Sequence, residues 1–226
     1  MINLEIRERE IFRILKKLIG RKFVVIGGYA VNVYTLSRFS VDCDLAVKKE
    51  EAKKISMILE QEGYKKEKTR DNLPYYGEFV RYEKEINKNF KVSFDILIEK
   101  VIDRQTGAYF DVDWILSNSE FKILKGKTFK EEIKAKIPSA EVLVIMKLLS
   151  CRISDIRDIF MIIPNVKDYD YIRNVVSEKT DFNNQFKKLI DTISSKNFKD
   201  NLQGVFGFIP EHLFDRNKKL ISKLNT

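Results

Sequence analysis

Two glycines, Gly27 and Gly28, follow the apolar run Phe23-Val24-Val25-Ile26, and two aspartates, Asp42 and Asp44, come soon after. The apolar run reads as a short buried strand, and residues 29–36 (YAVNVYTL) read as a helix that starts straight after the glycines. Residues 41–47 (VDCDLAV) alternate and predict a second strand. Strand residues two apart share a face, so Asp42 and Asp44 project together while Cys43 and Leu45 point into the core. Neighbouring carboxylates repel and are tolerated where a cation neutralises them, and Mg²⁺ takes carboxylate and phosphate oxygens. Glycines between a strand and a helix let backbone approach a phosphate, and the helix N-terminus adds N–H donors. Together these parts describe a site for a nucleoside triphosphate and its metals.

A third carboxylate, Asp95, stands in Lys91-Val92-Ser93-Phe94-Asp95-Ile96-Leu97. Alternation puts Lys91, Ser93 and Asp95 on one face, and Val92, Phe94 and Ile96 on the other. An aspartate within so apolar a run is costly unless it has a partner. A neighbouring strand carrying Asp42 and Asp44, with metal between, would supply one.

Around this centre the chain divides into two textures. Leu4, Ile11, Leu15 and Ile19 space the apolar face of a first helix over residues 4–19, and residues 48–63 form a second that stops at Gly63. Residues 64–99 change period and predict an antiparallel sheet, with turn signals at 71–74 (DNLP) and 87–89 (NKN). Residues 121–126 and 131–138 predict short strands around Gly126, and residues 111–119 a helical turn or a loop. From Ser139 the pattern is helical: 140–151, 155–164, then three further stretches. Pro138 followed by Ser139 as N-cap sets the boundary between an α/β (α+β) mixed-sheet domain, 1–137, and a C-terminal helical bundle, 138–226.

Composition excludes several alternatives. A chain of 226 residues can bury roughly 70% of its unfolded surface, so it needs no staples. Cys43 and Cys151 stand alone and His212 is the single histidine, which excludes a disulfide scaffold, a Cys/His zinc site and a histidine-based hydrolase. His212 reads as a surface residue. No apolar run reaches the ~18 residues of a membrane span, and the charged start lacks a signal-peptide core, so a cytoplasmic protein without membrane contact is expected. The net charge of +9 is spread along the chain. It fits an anionic partner, or simply a lysine-rich surface.

The order strand-Gly-Gly-helix, then Arg38-x-Ser40-x-Asp42-x-Asp44, then a strand with one aspartate, resembles the signature of the polymerase-beta-like nucleotidyltransferase superfamily. Within it the chain is most similar to the AbiEii-like (MenT-type) toxin group. That group adds a lysine-containing strand motif, resembled by Lys91 and Asp95, and a helical lysine followed by an Arg/Lys-Asp pair, resembled by Lys147 and Arg157-Asp158. The likeness spans roughly residues 22–163. Tyr29 stands where the family often has a small hydroxyl residue. A glycine pair followed by an aromatic is also similar to antibiotic nucleotidyltransferases of the lincosamide type.

The resemblance implies a Mg²⁺-dependent enzyme that moves a nucleoside monophosphate from an NTP to an acceptor hydroxyl. Asp42, Asp44 and Asp95 would be the catalytic metal ligands. Gly27, Gly28, Arg38, Ser40, Lys91, Lys147 and Arg152 would serve the nucleotide. The acceptor would be an RNA such as tRNA, a protein, or a small antibiotic-like molecule, and an antitoxin protein is an expected partner of a toxin. Lys147 is the only charge in residues 142–151, and reads either as a snorkelling lysine or as a cation for the triphosphate. Asp158 is expected to fix an arginine or cap a helix. Trp114 and the Tyr75-Tyr76 pair read as base-stacking or as core. A non-catalytic nucleotide sensor and a non-catalytic nucleic-acid binder are the alternatives from other classes.

Overall fold

The computed structural model describes residues 2–67, 78–88 and 90–225. The chain forms two compact units: residues 1–33, 39–102 and 110–138, and residues 34–38, 103–109 and 139–226. The turn expected at 71–74 and the Tyr75-Tyr76 pair lie outside the described residues.

The first unit opens with helix α1 (Ile2–Lys17), which buries Ile11, Phe12, Ile14 and Leu15 along one face. Ile19, expected on that face, lies in the turn beyond the helix end and is exposed; Leu18 is buried instead. Strand β1 (Phe23–Ile26) is buried throughout. Helix α2 (Gly27–Val31) includes both glycines and stops well short of the expected residue 36. The Val33-Tyr34-Thr35 run that follows is built of weak helix formers, which fits the early stop. Then come β2 (Asp42–Val47), α3 (Lys49–Gln61), β3 (Lys65–Lys66), β4 (Glu78–Asn87) and β5 (Phe90–Ile98).

These five strands form one sheet in the order β1-β2-β5-β4-β3. It is mixed: β5 runs antiparallel to β4, as expected, but parallel to β2. A parallel pairing needs a long crossover, and the whole α3–β4 segment supplies it. One face carries Cys43, Leu45, Phe94 and Tyr82, all buried. Tyr64, at the end of α3, meets Phe94 edge-on at 5.5 Å, and the Tyr82 hydroxyl donates to Glu60 of α3. The opposite face carries the aspartates.

Two short strands, β6 (Lys100–Ile102) and β7 (Tyr109–Asp111), pair as a ribbon, and α4 (Val112–Ser117) settles the 111–119 ambiguity as a helix. The hairpin of β8 (Ser119–Lys125) and β9 (Glu132–Pro138) follows, as expected around Gly126. Its turn is fastened by buried Glu8 of α1, which accepts hydrogen bonds from the Lys127 and Thr128 amides (2.8 and 2.9 Å) and the Thr128 hydroxyl (2.6 Å).

In the second unit, α5 (Ala140–Ser150) is buried on nearly every side, as an almost wholly apolar helix must be. The Ser139 hydroxyl caps it, accepting from the Val142 amide at 3.2 Å. Around it lie α6 (Ile153–Ile162), α7 (Tyr169–Lys179), α8 (Phe182–Ile193), α9 (Phe198–Phe206) and α10 (Glu211–Ser222). Four described helices therefore follow α6 where three stretches were expected, because Gly207 at φ +86° and Pro210 break the last stretch. His212 is exposed, as expected. Among the described residues no helix is long and apolar enough to cross a membrane.

Replacing Glu8 by alanine is expected to strip the hairpin turn of three hydrogen bonds. A loss of about 2 kcal/mol follows, which thermal unfolding would report as a fall of roughly 4–8 °C. An unchanged melting temperature would mean that water replaces the carboxylate without cost.

Candidate active site

Strand register assembles the site. Ile26 pairs with Asp44 across β1 and β2, Asp44 with Asp95 across β2 and β5, and Asp95 with Arg81 across β5 and β4. Directly opposed residues share a face, so Asp44, Asp95 and Arg81 form one row on the sheet. Asp42 sits in the next row on the same face, opposite Ser93, whose hydroxyl donates to Asp42 Oδ1. Burial pushes the Cys43 thiol far up, and the negative charges of Asp44, Asp95 and Asp42 add to the shift. Three carboxylates therefore converge around the first half of β2.

Gly27 closes one end of the row. Its φ is +63°, and a Cβ there would overlap Asp44 Oδ2 and come within 2.9 Å of Asp44 Cγ. The glycine gives Asp44 room to rest its carboxylate against bare backbone. Gly28 is buried in α2. Tyr29, the departure from a small hydroxyl residue, is core: it is buried, and burial drives its phenol well above the ordinary range.

Beside Asp44, Asp95 has a second neighbour that the sequence did not point to. Arg81 Nε and Nη2 each donate to one Asp95 oxygen at 2.7 Å, and Nη2 lies 3.4 Å from Asp42 Oδ2. The hydrogen-bonded Asp95 raises the guanidinium pKa further, against the burial that lowers it. The guanidinium thus offsets part of the negative charge of Asp95 and Asp42. In this arrangement no described group of three or more His, Cys, Asp or Glu side chains has the geometry to hold a metal ion. The donor set itself, carboxylate oxygens on one face, suits a hard divalent cation. Sequence reasoning missed Arg81; its signal was a cation set between Val80 and Tyr82 on β4.

The other residues read from the sequence are distributed as follows. Ser40 lies in the irregular segment before β2. Lys91 is exposed and bonds Glu83 at 2.6 Å, four residues or about 13 Å along β5 from Asp95. Arg38, Lys147 and Arg152 fall in the second unit, where they meet two buried aspartates. Arg38 grips Asp158 with two 2.7 Å hydrogen bonds. Lys147 reaches Asp158 at 2.6 Å and Asp155 at 3.1 Å, and Arg152 bonds Asp155 at 2.7 Å. Lys147 is buried among these carboxylates, so it does not snorkel. Asp158 fixes an arginine, as expected, and the arginine is Arg38. Burial alone would raise the Asp155 pKa, but Lys147 and Arg152 bring it below the usual carboxylate range. Trp114 stacks on Phe110, with ring centroids 4.5 Å apart.

No family model matches the chain, and no curated protein matches it. Solved structures do. A Helicobacter pylori protein provisionally classed as a nucleotidyltransferase is 16% identical, covers 98% of this chain and 96% of its own, and has a TM-score of 0.50. JHP933 from Helicobacter pylori is 16% identical over 97% of this chain and 92% of its own, also at 0.50. ANT(2")-Ia in complex with adenylyl-2"-tobramycin is 13% identical over 79% of this chain and 98% of its own, at 0.51. At these identities the likeness shows the fold: this chain has the mixed-sheet fold of solved nucleotidyltransferases, followed by helices.

Two substitutions probe the clusters. Gly27→Ala is expected to cost about 1–2 kcal/mol from the left-handed backbone and to push the Asp44 carboxylate off its rest; chemical denaturation measures the first effect. Asp155→Asn is expected to cost about 3–5 kcal/mol at pH 7. Because the folded-state pKa of Asp155 is depressed, its contribution is complete above the ordinary value of about 3.9 and fades as pH falls through the folded value. Urea titrations of both proteins at pH 7, 5, 4 and 3 should show the gap closing only at the acid end. A gap independent of pH would show that the charge of Asp155 contributes nothing.

Proposed function

We propose that this chain is a Mg²⁺-dependent nucleotidyltransferase that moves a nucleoside monophosphate from an NTP to an acceptor hydroxyl and releases pyrophosphate. The observation that carries this reading is the Asp44–Asp95 row with Asp42 beside it, bounded by Gly27, in a fold shared with nucleotidyltransferases. Asp42, Asp44 and Asp95 would hold the metal, which when bound polarises the phosphate under attack and offsets charge on the leaving group. Asp95 would also orient the acceptor hydroxyl and take its proton. Gly27 leaves room for the Asp44 carboxylate, and a phosphate-side role for Gly27 and Gly28 rests on the motif likeness. A nucleotide-side role for Ser40 and Lys91 rests on the motif likeness alone, and Lys91 is engaged with Glu83. For Arg38, Lys147 and Arg152 the nucleotide-side role rests on the motif likeness; in the structure they are joined to Asp155 and Asp158.

For the acceptor, the motif likeness of Lys91, Lys147 and Arg157-Asp158 to the AbiEii-like toxins favours an RNA such as tRNA, or a protein, with an antitoxin as partner. A second reading, a small antibiotic-like acceptor, is favoured by the likeness to ANT(2")-Ia, whose structure holds adenylyl-2"-tobramycin, and by the aromatic Tyr29 after the glycines.

The test supplies each α-labelled NTP with Mg²⁺ to the purified chain, together with total RNA, a protein extract or a panel of aminoglycosides and lincosamides. Label should pass to one acceptor class, and Asp44→Asn should lower that transfer about a thousandfold. Removing one of several repelling charges should leave the metal-free melting temperature level or raise it. A clear drop in metal-free stability would make Asp44 structural, and no transfer to any class by the wild-type chain would overturn the enzyme reading.

A further inference from the structure

The row of charges across the sheet extends one residue beyond Arg81. Glu67, directly after β3, donates its backbone N–H to the Arg81 carbonyl at 2.8 Å. The β3–β4 register, Lys65 opposite Glu83, places it opposite Arg81. Its carboxylate is exposed, and its negative charge contributes to holding the Arg81 proton. One guanidinium therefore has carboxylates on both flanks: Asp95 and Asp42 toward the sheet centre, Glu67 toward its edge. The Arg81 side chain is itself 31% exposed, so it has room to turn.

We propose that Arg81 sets the divalent-cation affinity of the carboxylate row by competing for the oxygens of Asp95 and Asp42, with Glu67 receiving the guanidinium when a cation takes them. This rests on reading the row as a metal site. Both Asp95 oxygens carry a charge-assisted bond from Arg81, and a hard cation needs those same oxygens. Guanidinium and metal cannot share them, since two cations there would repel. The apparent affinity is then the intrinsic affinity reduced by the fraction of molecules in which Arg81 has turned away. Glu67 raises that fraction by offering a second carboxylate at the end of the same row. Arg81 is in this sense a positioning residue: it acts through Asp95.

The two ends of the swing make opposite predictions. Binding of Mn²⁺ alone, without nucleotide, is measured by calorimetry, together with the melting temperature with and without the ion. Arg81→Gln is expected to tighten Mn²⁺ binding about tenfold, to lower the metal-free melting temperature and to enlarge the rise that Mn²⁺ produces. Glu67→Gln is expected to weaken Mn²⁺ binding several-fold in the wild-type background and to have no effect in the Arg81→Gln background. A simple field effect of Glu67 would weaken binding equally in both, and that outcome overturns the proposal, as does unchanged affinity in Arg81→Gln. Should Arg81→Gln fold poorly, Arg81→Lys, which keeps the charge but loses the fork, must still bind Mn²⁺ more tightly than wild type. If neither wild type nor any variant binds Mn²⁺ at millimolar concentration, the metal-site reading falls and the proposal with it; binding by wild type that ignores both substitutions removes Arg81 alone.

Discussion

Asp44 and Asp95 stand opposite each other on neighbouring parallel strands, and the sheet holds them there whatever their charges prefer. Strand spacing puts their backbones about 4.8 Å apart. Two full charges at that separation oppose folding by about 3 kcal/mol in a surface-like dielectric. The other side of the same strands supplies the opposing force: Cys43, Leu45, Phe94 and Ile96 are buried beneath the aspartates, and each buried aliphatic or aromatic side chain contributes about 1.5–3 kcal/mol. Arg81 then neutralises part of the excess, and Gly27 gives up its side chain so that Asp44 has somewhere to lie. The pairing of β2 with β5 is thus the constraint from which the site's other features follow.

The two charge clusters are built on opposite principles. In the sheet, Arg81 bonds the buried Asp95 and reaches the partly exposed Asp42. In the helical unit, Asp158 is almost wholly buried and is met from two sides by Arg38 and Lys147. Pairs of the second kind pay heavily in desolvation and give little net stability, but losing one member is costly because the other is left buried and uncompensated. They are suited to holding a side chain in one orientation. The cluster on the sheet, by contrast, gathers three carboxylates on one face of neighbouring strands.

Much of this was legible in the sequence wherever a local period carried it. The alternation in residues 41–47 placed Asp42 and Asp44 on one face, and that in residues 90–98 placed Asp95 opposite Phe94. Ser139 announced the capped start of α5. What was not legible depended on register between distant strands. Arg81 meets Asp95 only because β4 pairs with β5 in one particular alignment, which includes an irregularity between Glu85 and Asn87 that local pattern does not reveal. The arginine held by Asp158 lies 120 positions upstream, beyond any local signal. Helix α2 began two residues early, because the glycines entered the helix instead of preceding it.

The parallel pairing of β2 and β5 also shapes how the molecule comes to exist. Asp42 and Ser93 meet across a separation of 51 positions. Closing such a loop is entropically unfavourable before any contact compensates it, and long-range parallel pairing is intrinsically slow. The antiparallel pairs β1–β2 and β4–β5 can each form from near neighbours, so the β2–β5 seam is the long-range step. Until that seam closes, the aspartates of β2 and β5 lie on separate pieces of the sheet. A chain emerging from the ribosome would carry Asp42 and Asp44 well before Asp95, and the three would share one face only once β5 had closed against β2.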